Sequence, residues 1–140
     1  MQYQLADLFE SVADAVPDRE AIVYRERRIT FREFDERATK LAHYLRTQGI
    51  GKGDRVGLYL YNCNEYLEGA LAAFKLGASP VNINFRYVEE ELRYLCDDAD
   101  LVAMIFHREF APRVAAVAPK LPAMKTLIVV EDGSEASGAD

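Results

Sequence analysis

Apolar residues recur along this chain at two rhythms. Leu5, Leu8, Phe9, Val12 and Val16 fall at the spacing of one helix face, and Pro17 ends that helix. Ala21 to Tyr24 and Ile29 to Thr30 read as short strands, joined in a hairpin by Arg25-Glu26-Arg27-Arg28. Thr30-Phe31-Arg32-Glu33 is a capping box: the Thr30 hydroxyl can accept from the Glu33 N–H while the Glu33 carboxylate reaches back to the Thr30 N–H. The helix it opens carries Phe34, Ala38, Leu41, Ala42 and Leu45 on one stripe, and Gly49 is its natural stop.

From Arg55 the rhythm becomes strand, helix, strand. Arg55 to Leu60 predicts a strand. A helix from about Asn64 comes next, with Leu67, Ala70, Leu71 and Phe74 on one side and Gly77 as its stop. Pro80 to Asn84 predicts a short strand, and Val88 to Cys96 a helix burying Leu92, Leu95 and Cys96. Leu101 to Phe106 is the strongest strand. A helix over Phe110 to Val117 must hold Pro112 in its first turn, because a later proline would clash with the preceding turn. Thr126 to Val130 is the last strand. Leu101-Val102-Ala103-Met104-Ile105 is apolar on both faces, as in a parallel strand covered on both sides. The predicted fold class is therefore α/β: an N-terminal helix and short β-hairpin, then a βαβαβαβ parallel sheet with helices on both faces. Residues 1–130 are the folded part. Residues 131–140, rich in Gly, Ser, Asp and Glu, read as a polar tail or the start of a linker.

Composition narrows the class. The chain has 140 residues, 50% hydrophobic and 29% charged, which is globular and excludes wholesale disorder. Its net charge of −6 is the wrong sign for a nucleic-acid partner. Cys63 and Cys96 make no disulfide framework, and no Cys/His cluster has zinc spacing. The first residues carry Asp7, Glu10, Asp14, Asp18 and Glu20 and no long apolar run, so no secretory signal is read there. Leu101 to Phe106 and Leu127 to Val130 fall far short of the ~20 residues that span a bilayer. A cytoplasmic chain without a transmembrane segment is expected.

Candidate chemistry is sparse. Gly49-Ile50-Gly51-Lys52-Gly53 precedes a strand, so its amides open no helix N-terminus, and it fits neither nucleotide-loop spacing. Asp97, Asp98 and Asp100 lie before a strand, opposite the carboxyl ends where α/β sheets hold ligands, and read as a solvated loop. Cys96 sits on a buried stripe. Cys63 sits at a strand-to-helix junction, where a helix dipole could lower its pKa, but packing is the favoured reading. His43 reads as a surface histidine. His107 directly follows the strongest strand, at the ligand-facing end. Arg19, Arg25, Arg27, Arg28 and Arg32 form a basic patch, read as solvated hairpin surface. Tyr59, Tyr61, Tyr66, Tyr87 and Tyr94 alternate with core positions and form no stacking platform. Asn82, Asn84, Phe85, Arg86 and Tyr87 follow the second parallel strand at its carboxyl edge, where the asparagines read as interruptions of a buried strand that bond to backbone. No catalytic set and no metal-ligand set is visible.

Several stretches in register resemble the N-terminal part of the acyl-adenylate-forming (AMP-binding) superfamily of acyl-CoA synthetases, luciferases and peptide-synthetase adenylation domains. They are Ala21-Ile22-Val23 with Thr30-Phe31-Arg32-Glu33-Phe34; Gly53-Asp54-Arg55-Val56-Gly57-Leu58 with Asn62, Glu65, Ala70, Ala73 and Gly77-Ala78; Val81-Asn82-Ile83-Asn84 with Arg86-Tyr87 and Glu91-Leu92; and Asp97-Asp98-Ala99 before the last long strand. The segment Asn82 to Asp100 is most similar to actinobacterial fatty-acid and sterol-side-chain CoA ligases. The resemblance implies that ATP and a carboxylic acid give an acyl-adenylate and pyrophosphate, and that CoA then displaces AMP.

The family's Ser/Thr/Gly-rich phosphate loop, Tyr-Gly-x-Thr-Glu motif, ribose-binding Asp and catalytic Lys all come after the position of Asp140. The chain thus resembles the front of a several-fold longer enzyme and is expected to be inactive alone. No catalytic or metal residue carries over. Asn84, Phe85 and Arg86, with His107 and Arg108, correspond to loops on the CoA side. ATP, Mg²⁺ and CoA are implied for the parent, and none is expected to bind this chain tightly. The implied partner is a fatty or sterol-side-chain acid, with room for peripheral membrane contact and for a homodimer. The alternative is a stand-alone, non-catalytic binding or scaffolding module of the same fold. A receiver-like or flavodoxin-like regulator is disfavoured, since it needs acids or a phosphate loop at the strand carboxyl ends.

Overall fold

The computed structural model describes residues 4–135 of the chain. The capping box forms: the Thr30 hydroxyl accepts from the Glu33 N–H at 3.2 Å, and the Glu33 carboxylate from the Thr30 N–H at 3.0 Å. It opens α2 (Phe31–Thr47), which follows α1 (Leu5–Ala15) and an antiparallel hairpin of β1 (Glu20–Tyr24) and β2 (Arg27–Thr30). Gly49 stops α2 at a φ of +82°, a conformation that only glycine adopts without strain.

The rest alternates strand and helix: β3 (Arg55–Tyr59), α3 (Asn64–Lys75), β4 (Ser79–Asn82), α4 (Glu89–Asp98), β5 (Leu101–His107), α5 (Ala111–Val117) and β6 (Thr126–Val130). A 3₁₀ turn, Arg108–Phe110, leads into α5, and Pro112 lies in the first turn of α5 as its geometry requires. The strands are all parallel in the order β4-β3-β5-β6. One face of the sheet is covered by α3 and α2, around Ala72, Ala73, Leu45 and Leu58. The other is covered by α4 and α5, around Leu92, Cys96, Val114 and Met104. A third, smaller cluster of Ile22, Ile29, Phe34, Ala38 and Leu71 joins the hairpin to α2 and α3.

The helix faces depart from the periodicity in two places. Leu5, Leu8 and Val12 point outward from α1, and Ala6 and Ala13 are buried instead. On α3, Leu67 is exposed while Asn64, Glu68, Gly69, Ala72 and Ala73 face inward. The cause is the same. These helices dock through small residues: a Cβ on Gly69 would lie 2.9 Å from Ile105 Cδ1 and from Leu58 Cδ2. Charged residues then bridge the seams. Lys75 on α3 pairs with Glu10 on α1 at 2.6 Å and with Asp35 on α2 at 2.7 Å.

The strand β4 also differs from expectation. It is an edge strand, and Asn82 is exposed rather than interrupting a buried strand. Asn84 does bond to backbone, its Oδ1 accepting from the Arg86 N–H at 2.9 Å. Of the segment assigned to the tail, Glu131 and Asp132 return to the fold, accepting from Arg108 and from the Glu109 N–H. Residues 136–140 lie outside the described residues.

Candidate functional site

The chain connects β3 to β4 on one side and β5 to β6 on the other, so the winding reverses between β3 and β5. In open α/β sheets the crevice beyond the carboxyl ends at such a reversal is where ligands bind. A cleft of about 800 Å³ opens there, lined among others by Tyr61, Cys63, Glu65, His107, Glu109 and Asp132. Beside it, a hollow of about 330 Å³ is lined by Leu60, Asn62, Asn82, Asn84, Phe85 and Arg86.

An aromatic cluster floors this region. Tyr59, fully buried on β3, stacks on Phe110 at 4.5 Å between ring centroids. Tyr61 lies 4.9 Å from Phe85, 5.1 Å from Phe110 and 5.7 Å from His107. His107, the last residue of β5, is buried and accepts the Tyr61 N–H on Nδ1 at 3.2 Å. That bond occupies Nδ1 and gives His107 a structural task at the mouth of the cleft.

The expected CoA-side loops are thus neighbours in space, bridged by Tyr61, but their cations differ. Arg86 is exposed, lies over the Phe85 ring at 5.7 Å and has no carboxylate partner among the described residues. Arg108 forms a two-pronged pair with Glu131, both contacts at 2.6 Å. Arg108 holds the Glu131 carboxyl below the usual range. An incoming anion therefore meets an open charge at Arg86 and a neutralised one at Arg108.

The other candidates resolve into structure. Burial pushes the Cys63 thiol up to about 11, the opposite of the lowering that a helix N-terminus offers, and does the same to Cys96. The basic hairpin patch is largely neutralised in place: Arg27 bonds Asn64 and Glu65, Arg28 bonds Glu20, and Arg32 bonds Asp18. Asp100 lies at the amino end of β5, in a loose 4.0 Å contact with Arg55. Among the described residues no group of three His, Cys, Asp or Glu could hold a metal ion, and no helix is long and apolar enough to cross a membrane.

Sequence reasoning missed the part played by Tyr59 and Arg113. The Tyr59 hydroxyl donates to the Tyr87 carbonyl at 2.6 Å. Arg113 Nη1 donates to Tyr59 Oη at 3.1 Å and to the carbonyls of Phe85 and Tyr87 at 3.2 and 3.1 Å. Burial pushes the Tyr59 phenol up, so it remains a donor. The available signal was a lone arginine in the first turn of the otherwise apolar Ala111-Pro112-Arg113-Val114-Ala115-Ala116-Val117.

Comparison with known proteins gives the family and supports the fold. The family model for AMP-binding enzymes matches residues 9–140. A Mycobacterium marinum medium/long-chain-fatty-acid–CoA/3-oxocholest-4-en-26-oate–CoA ligase is 49% identical over 131 residues, covering 94% of this chain and 24% of the relative. A Rhodococcus rhodochrous 3-oxocholest-4-en-26-oate–CoA ligase is 46% identical over 135 residues, 96% of this chain and 24% of the relative. The chain thus spans about a quarter of the length of these relatives. The crystal structure of an anthranilate CoA ligase in complex with anthranoyl-AMP superposes with a TM-score of 0.87 at 26% identity, over 91% of this chain and 25% of that one.

Proposed function

The chain belongs to the AMP-binding enzyme family, and we propose that it is the N-terminal segment of an acyl-CoA ligase acting on medium- to long-chain fatty acids or sterol-side-chain acids. The observation that carries this is the 49% identity, over 94% of the chain, to a ligase of that named activity. In the parent enzyme ATP supplies the AMP that activates the carboxylate, and CoA supplies the thiol that accepts the acyl group. Residues 1–130 would be the front of the adenylation domain and 131–140 the passage to its next segment.

This segment's part is to bind and orient. The exposed Arg86, presented over Phe85 beside a polar hollow, suits the phosphates of CoA. His107 fixes the neighbouring strand end through Tyr61, and Arg108 holds Glu131 beside the cleft. The adenylation chemistry is assigned to the parts of the parent enzyme that this segment, about a quarter of the relatives' length, does not cover. The cytoplasm is the proposed site of the reaction.

The test is acid-dependent ATP–pyrophosphate exchange, then acyl-CoA formation. The full-length protein is expected to turn over fatty and 3-oxo-sterol acids, and residues 1–140 alone to give no exchange. Exchange by the short chain, or a full-length protein that forms acyl-adenylate but never acyl-CoA, would overturn the assignment.

A further inference from the structure

The loop that carries Arg86 has little of its own to hold it. It leaves β4, the edge strand, after Ile83 donates a last sheet bond to the Leu58 carbonyl at 3.0 Å. Within the loop, the Tyr87 N–H closes a turn onto the Asn84 carbonyl at 3.0 Å, and the Asn84 side chain accepts from the Arg86 N–H. The carbonyls of Phe85 and Tyr87 face inward instead, and both meet the same guanidinium nitrogen of Arg113. That side chain comes from α5, which follows β5 in the chain and covers the same face of the sheet as α4. It is seated over the Phe110 ring at 5.6 Å and receives support from the buried Tyr59 hydroxyl, which also donates to Tyr87.

We propose that Arg113, backed by Tyr59, is a positioning residue: it clamps the 84–87 loop from beneath so that Arg86 and Phe85 stand outward at the ligand-facing edge. The inference rests on the reading of that loop as the CoA side of a ligase. With the carbonyls of residues 85 and 87 held by Arg113, the side chain between them can extend into solvent. Arg86 is exposed and Phe85 is 38% exposed. Charge-assisted bonds to two carbonyls are strong enough to order a short loop that lacks strand partners. Because α5 comes directly after the His107-Arg108 turn, the clamp also ties the two CoA-side loops to one another.

The test uses the full-length ligase with Arg113→Met, Arg113→Lys, Tyr59→Phe and Arg86→Ala. Tyr59→Phe keeps the stack on Phe110 and removes only the hydroxyl, so it reports the clamp even if Arg113→Met folds poorly. Trypsin cleavage after Arg86, mapped by mass spectrometry, is expected to rise about tenfold in Arg113→Met and less in Tyr59→Phe. The KM for CoA is expected to rise about tenfold in Arg113→Met with far less change in kcat, and Arg113→Lys to recover part of it. Unchanged cleavage after Arg86 in both clamp variants overturns the proposal. So does a parallel loss in kcat, in the KM for ATP and in melting temperature, which is the mark of a purely structural residue. If Arg86→Ala raises the KM for CoA and Arg113→Met does not, the clamp fails while the CoA-side reading stands. If Arg86→Ala leaves the KM for CoA unchanged, the CoA-side reading itself falls and takes the inference with it.

Discussion

Glu68 is a carboxylate on the inward face of α3, only 5% exposed, and its neighbours explain how a charge survives there. The Arg37 guanidinium meets both of its oxygens, and Asn64 Nδ2 donates to one of them at 3.2 Å. The two partners are not equivalent, because the Arg37 side chain is 53% exposed. Removing the arginine strands a buried charge; removing the carboxylate leaves a cation that water can reach. Arg37→Ala is therefore expected to cost about 3 kcal/mol. Glu68→Ala is expected to cost about 1 kcal/mol. The double variant should lie near Glu68→Ala. Urea unfolding of the three proteins checks this, and equal costs for the two single changes would refute the asymmetry. Neither residue was legible as a pair in the sequence. Glu68 lies between apolar positions of a helix and reads as part of its polar face, and its partner is 31 residues away.

At the scale of elements, what the sequence shows well is punctuation. The Thr30-to-Glu33 box, the stops at Gly49 and Gly77 and the two-faced strand Leu101 to Ile105 are local signals, and each stands where the pattern puts it. The inward face of α1 was not legible, because size misleads there. Leu5, Leu8 and Val12 make the larger stripe, yet α1 docks by Ala6, Ala13 and the Phe9 ring, edge-on to Phe34 at 4.9 Å. The ammonium of Lys75 completes the seam. Burial would lower its pKa, but the bonds to Asp35 and Glu10 outweigh that and hold it above the ordinary lysine range. Lys75→Met removes the bridge and leaves Glu10 and Asp35 facing each other without a counter-charge. Amide exchange over residues 5–15 is then expected to speed by about tenfold or more while β3 and β5 keep their protection. A uniform loss of protection would mean that α1 belongs to the same cooperative unit as the sheet.

For the whole molecule, the candidate site was legible in place but not in parts. The carboxyl ends of the strands follow from the alternating pattern, and Asn84, Phe85, Arg86, His107 and Arg108 all stand there. Strand order, the Tyr61 bridge between the loops and the Arg113 clamp come from contacts 23 to 54 residues apart, which spacing does not encode. The same long-range view distinguishes a segment from a self-sufficient module. The outer edges of β4 and β6 have no strand partner among the described residues; Leu127 on β6 is 41% exposed, and α1 presents Leu5 at 62% and Leu8 at 60%. A self-contained α/β domain rarely leaves an apolar helix stripe and open sheet edges uncovered together, since each invites association. Purified residues 1–140 are therefore expected to bind a hydrophobic dye and to grow in apparent size with concentration. Leu5→Ser with Leu8→Ser should lower dye binding, and Leu127→Lys should weaken association through the β6 edge. The two effects should be separable, because the stripe and the edge are different surfaces. A monodisperse, dye-silent protein with a cooperative melt would instead favour the stand-alone binding module over the ligase segment.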